Sequence, residues 1–180
     1  MNEENTHPEI WIEPDMDDMV DAFYFSDDAQ GDSLIDALKE VESGLQVPRF
    51  LQKTVVAQLA EAEQATLSFS NLVLVGYSTG ALLAMLHYQK RPGRFSALLL
   101  LSPTLDLKQA QAIHTLPENM VVIYSKRDQD ALAALNKFQD KPGFKWVGVD
   151  DDSTLSNSLT TIQKEFKTLI HTLPYRNASL

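Results

Sequence analysis

The chain has no cysteine among its 180 residues, which excludes disulfides, thiolate metal sites and a thiol nucleophile. It has no apolar run of membrane-spanning length. The longest runs, around residues 72–75 and 97–101, fall far short of the roughly 20 residues a spanning helix needs. Positive charge is almost missing from the first quarter: residues 1–45 carry 14 Asp and Glu against the single Lys39, within a net charge of −10. That is the wrong sign for a nucleic-acid backbone, so neither a nucleic-acid nor a membrane partner is expected. Met1 to Pro8 is polar and acidic, with no apolar leader core. It reads as a loose tail ahead of one domain over residues 9–180, and the expectation is a soluble, cytoplasmic protein.

With 44 % hydrophobic and 22 % charged residues, the chain is long enough for a sizeable core. Glu9 to Glu13 alternates polar and apolar and reads as a short edge strand; Ala22 to Ser26 reads as a better one. A helix opens at Asp32 or Ser33, carries Leu34, Ile35, Leu38 and Val41 on one face, and stops at Gly44. Leu45 to Phe50 reads as a brief edge strand around Pro48, and a second helix spans about Leu51 to Ala65. Phe95 to Leu101 and Met120 to Tyr124 are continuous apolar runs, the pattern of strands covered on both faces. A helix near 129–139 and a last strand over Phe144 to Val149 follow. Leu155, Leu159, Ile162, Phe166, Leu169 and Leu173 then form one apolar stripe of a final helix. Strands alternating with helices predict an α/β fold, a mostly parallel sheet of about six strands with helices on both faces.

The most specific feature is Gly76-Tyr77-Ser78-Thr79-Gly80, between the strand-like Asn71 to Val75 and the helix-like Ala81 to Leu86. A strand, G-x-S-x-G and a helix together are the sequence form of a nucleophile elbow, with the serine exposed on a sharp turn.

With this motif the chain resembles the alpha/beta-hydrolase superfamily, and its small cap-less serine esterases in particular. The likeness covers about residues 20–175 as an order of elements, with the elbow as its specific part. It implies Ser78 as nucleophile and the Thr79 N–H as an oxyanion donor. It also implies an acid just beyond Met120–Tyr124, where Asp128 stands with Asp130 in reserve. Tyr77 and Ser26 are further candidate oxyanion or binding positions. No cofactor and no metal enters such a reaction.

The resemblance also implies a histidine in the loop after the last strand, and Val149 to Asn157 contains none. His87 lies nine residues past Ser78 on the same helix, about 13 Å along it. His171 is about 24 Å from the start of the last helix, and His7 is on the tail. His114, in the 104–119 connection, is the candidate base if that connection folds over the site. The first strand lacks the His-Gly of the family and ends in Ser26-Asp27-Asp28, and carboxylates beside an oxyanion oppose it.

Asp27, Asp28, Asp128, Asp130 and Asp150-Asp151-Asp152 all fall at expected carboxyl ends of strands, where sites of such sheets lie. They predict an acidic rim that attracts a basic protein partner or a hard cation such as calcium or magnesium. Two functions are open. One is a serine hydrolase acting on a small acyl ester through Ser78, Asp128 and His114. The other is a catalytically degenerate hydrolase fold that binds through its acidic surface.

Overall fold

The computed structural model describes residues 21–26, 32–128 and 133–171. The expected tail, the Glu9–Glu13 strand, His7, Asp27, Asp28 and Asp130 lie outside the described residues.

Five strands form one parallel sheet in chain order: β1 (Asp21–Phe25), β2 (Leu72–Tyr77), β3 (Phe95–Leu101), β4 (Met120–Ser125) and β5 (Phe144–Val149). The central strands are the apolar runs of the sequence. Every residue of β2 is buried, as a strand with helices over both faces requires. Among the described residues the count is one below the expected six. Leu45 to Phe50 contributes only an isolated bridge, in which the Tyr24 N–H donates to the Gln46 carbonyl at 2.8 Å and the Gln46 N–H to the Ala22 carbonyl at 2.9 Å. Pro48, lacking an N–H, stands two residues on.

That bridge explains how the helices divide. From β1 the chain steps outward to Gln46, then returns past β1 to β2. Parallel crossovers are right-handed, so opposite steps put their helices on opposite faces. α1 (Asp32–Val41) packs Leu34 and Leu38 against Tyr24, Val73 and Val75. α2 (Val55–Ala65) packs Ala62 on the other face, with Phe23, Phe25, Leu72 and Leu74. Every later step runs the same way as Gln46 to β2. α3 (Thr79–Lys90), the short α4 (Leu107–Gln111) and the helical residues 133–138 therefore share the face of α2. After β5, α5 (Leu159–His171) returns to lie beside α1. The reversal places the switch point of the sheet between β1 and β2, the usual place for a ligand site in open α/β sheets.

Two boundaries shift for physical reasons. α2 begins at Val55 because the Glu61 carboxylate takes the N–H groups of Leu51 and Gln52, both at 2.9 Å, and Thr54 caps the helix through the Ala57 N–H. α5 begins at Leu159 and not near Leu155. Leu155 is buried, but its φ of 58° lies outside any helix. No helix among the described residues is long and apolar enough to cross a membrane.

Candidate functional site

Ser78 links β2 to α3 with φ 58° and ψ −120°, a region that costs a non-glycine residue roughly 1–3 kcal/mol. Its neighbours hold it there. The Ser78 N–H donates to the Leu101 carbonyl at 2.9 Å, and its carbonyl accepts from the N–H groups of Ala81 and Thr104, both at 3.1 Å. The two motif glycines are steric requirements. A Cβ on Gly76 would lie 2.5 Å from the Gly80 carbonyl oxygen, and one on Gly80 would lie 2.0 Å from the Phe25 carbonyl oxygen. Ser26, half-buried at the end of β1, is in the same contact: its Cα is 3.0 Å from that Gly80 Cβ position.

Thr79 is exposed and opens α3, so its N–H is among the four at a helix start without an intrahelical acceptor. Tyr77 points elsewhere. Its side chain is buried on the α1–α5 face, and its hydroxyl donates to the Ser153 carbonyl at 3.3 Å. This is a correction to Tyr77 as a site residue: alternation along β2 turns it away from the α3 side. Asp128 is half-buried just beyond β4, its N–H on the Ser125 carbonyl at 3.0 Å.

The Ser78 hydroxyl lies 3.2 Å from that of Thr104, its only hydrogen-bond partner among the described residues. The Thr104 hydroxyl lies 3.3 Å from the Ser102 carbonyl, to which it donates. A hydroxyl has one hydrogen to give, so Ser78 donates to Thr104. Next to the pair opens a cavity of about 550 Å³, lined by Thr79, Thr104, Leu105, Asp106, Leu107, Gln109 and Ala134. Asp106 and Gln109 spend their side chains on one another's backbone N–H groups, at 2.7 and 2.9 Å. The lining is thus mixed, with Thr79, Thr104, Asp106 and Gln109 polar and Leu105, Leu107 and Ala134 aliphatic.

No described histidine meets Ser78. The backbone N–H groups of His114 and Thr115 bond the Gln89 side chain, eleven residues along α3 from Ser78 and about 16 Å down its axis. The 104–119 connection runs away from the site, and His114 is corrected from candidate base to an exposed residue at the far end of the helix. His171 ends α5. His87 is fully buried, between Phe25 and Phe95. Its Nε2 is 2.8 Å from the Thr66 hydroxyl, which itself donates to the Ala62 carbonyl at 2.9 Å. His87 is therefore the Nε2–H tautomer, with a bare Nδ1 in the core. Burial, opposed by Glu63 and aided by Arg94, Lys90 and Arg91, pushes it down to about 4.

Residues 150–158, where a histidine was sought, form a polar knot. Asp151 is only 3 % exposed. Its carboxylate accepts from the N–H of Asp152 at 2.8 Å, the N–H of Asn157 at 2.9 Å and the Ser158 hydroxyl at 2.8 Å. Burial works against its charge, but these bonds outweigh burial and hold the carboxyl below its ordinary range. Asp152 is taken by the N–H and hydroxyl of Thr154. Hydroxyls at the ends of three strands hold the loop's carbonyls: Tyr77 and Ser102 on Ser153, and Ser125 on Asp151. The acidic rim is thereby reduced, since Asp151 faces inward and Asp152 its own turn. Among the described residues no group of three or more His, Asp or Glu is placed to hold a metal ion.

Thr104 carries no motif and was missed from sequence; Asp151 was read as part of the acidic rim, and its inward-facing role was not.

The sequence matches no family model and no curated protein. The architecture does match solved structures. A hydrolase assigned to the alpha/beta superfamily from Xanthomonas campestris pv. campestris aligns over 86 % of this chain and 97 % of its own, at 17 % identity and a TM-score of 0.68. A lid-less α/β serine hydrolase from Xanthomonas campestris aligns over 86 % and 83 %, at 15 % identity and 0.61. A thioesterase domain from the curacin biosynthetic pathway aligns over 82 % and 89 %, at 12 % identity and 0.60. At such identities the likeness speaks for architecture, which also carries the Ser78 elbow and the sheet reversal beside it: the chain has the alpha/beta-hydrolase fold.

Proposed function

We propose that this protein is a serine hydrolase of the esterase or thioesterase type, acting on a small acyl ester through Ser78. The observation that carries the reading is the elbow. Ser78 is held at φ 58° by two glycines with no room for a Cβ, and its hydroxyl meets that of Thr104, which lines the neighbouring cavity. A strained residue is retained where the surroundings over-determine it, and such residues cluster at working sites. In this reading Ser78 Oγ attacks the acyl carbon and the Thr79 N–H helps hold the oxyanion. Asp128 takes the acid's place in the chain order. The thioesterase and the lid-less serine hydrolase among the similar structures support an ester or thioester as substrate.

One observation favours a second reading, a non-catalytic binding protein. The loop after β5 has no histidine and is tied down by Asp151; the acidic first quarter of the sequence would then meet a basic protein partner. A fluorophosphonate probe separates the two, with a short-chain aryl ester assay and Ser78→Ala as control. Ser78-dependent labelling and ester cleavage support the hydrolase. Folded protein that neither labels nor cleaves supports the binding reading.

A further inference from the structure

The hydroxyl relay at the elbow ends on a carbonyl. Ser78 donates to Thr104 and Thr104 to the Ser102 backbone oxygen, and a carbonyl oxygen does not keep a proton near neutral pH. Among the described residues no histidine takes the usual acceptor's place. The His87 ring is locked in the core on Thr66, the His114 backbone N–H is held by Gln89 toward the far end of α3, and Asp151 faces the start of α5.

This arrangement burdens the two halves of an acyl transfer unequally. Attack by the Ser78 hydroxyl and attack by water each give up one proton, so the two halves differ in the leaving group. An aryl oxide or a thiolate departs as a stable anion and needs no proton. The serine alkoxide that leaves in the second half must be protonated, and proton transfer by a positioned side chain is worth about 10²–10⁴-fold.

Accepting Ser78 as the nucleophile of the proposed function, we infer that the site takes activated acyl donors, aryl esters and thioesters, and retains the acyl group as a Ser78 ester that water releases slowly. Ser78 Oγ bonds the acyl carbon. The bond from that carbon to the leaving oxygen or sulfur breaks, its electron pair going to the leaving group. The hydroxyl proton passes to water in the open cavity, and no redox partner is needed. The acyl chain lies along Leu105, Leu107 and Ala134.

The test mixes the protein with 4-nitrophenyl butyrate while nitrophenolate release and intact mass are followed. The expected result is a burst of one equivalent, a butyryl adduct mapped to the Ser78 peptide, and a steady state slower by about 100-fold or more. Imidazole added as an external base should speed the steady state and leave the burst amplitude unchanged, and ethyl butyrate should give no burst. Adduct mapping uses the unmodified protein, so it does not depend on Ser78→Ala folding. Fluorophosphonate labelling of Ser78 with steady turnover and no burst overturns acyl retention while sparing the nucleophile. Neither labelling nor burst overturns both.

Discussion

Gly80 sits against the backbone of Phe25, so close that a Cβ there would lie 2.0 Å from the Phe25 carbonyl oxygen. The contact joins the first turn of α3 to the end of β1, across the switch point of the sheet. Neither side is a flexible side chain that can step aside. Gly80→Ala is expected to lose at least the roughly 1–3 kcal/mol of an overpacked core, seen as a lower urea midpoint. Gly93→Ala, where nothing lies within 4 Å, is the control and should change stability by less than about 0.5 kcal/mol.

His87 gives the fold a pH dependence of known sign. Its imidazole titrates at about 4 when folded against 6.5 in the ordinary case, so between those values the unfolded chain binds the extra proton. Stability is therefore lost as pH falls from about 6.5 to about 4, by roughly 3 kcal/mol from this group. Below that window the group contributes no further change. Denaturant titrations across the range should show the loss, and His87→Leu should flatten it, since Thr66 keeps its bond to the Ala62 carbonyl.

Asp151 acts in a lower window. Its carboxyl is held below the ordinary 3.8, so its contribution is present above that value and fades as pH falls through the folded one. Asp151→Ala leaves the N–H groups of Asp152 and Asn157 and the Ser158 hydroxyl without their acceptor. Faster amide exchange across residues 150–158 and a lower Tm are expected, with Asp151→Asn falling between. An exchange profile unchanged in Asp151→Ala would show that the knot is held by the strand-end hydroxyls alone.

Leu107 separates stability from substrate. It lines the cavity by Ser78 yet is 66 % exposed. Leu107→Ala should leave the urea midpoint unchanged within about 0.5 kcal/mol. For a longer acyl donor such as 4-nitrophenyl octanoate, the acylation rate at low donor concentration should fall about fivefold, the loss of about 1 kcal/mol of apolar contact.

What was legible in the sequence follows from local physics. The runs at Phe95 to Leu101 and Met120 to Tyr124 read correctly because a strand buried on both faces must be apolar throughout. The elbow read correctly because its glycines are demanded by contacts inside the motif's own strand-turn-helix and its nearest strand. Leu155 was misread because its burial matches the helical stripe while its backbone belongs to a turn, its N–H on the Asp152 carbonyl at 3.1 Å and its φ at 58°. His114 was misjudged for a similar reason: the course of its connection is set by the Gln89 side chain on another element. The outward step to Gln46 left only a weak strand signal, since one bridged residue needs no pattern.

That step also orders the assembly of the sheet in time. Val73 pairs with Ala97, Leu98 with Met120 and Met120 with Phe144, whereas Asp21 must find Leu72 across α1, the Gln46 bridge and α2. The longer loop closes at a greater entropic cost, so β2 to β5 are expected to form first and β1 to dock last. Pulse-labelled hydrogen exchange should accordingly protect the amides of Val73 to Val75 before those of Phe23 to Phe25. Because β1 carries the Phe25 carbonyl against Gly80, the turn that holds Ser78 is expected to be completed only at the end of folding.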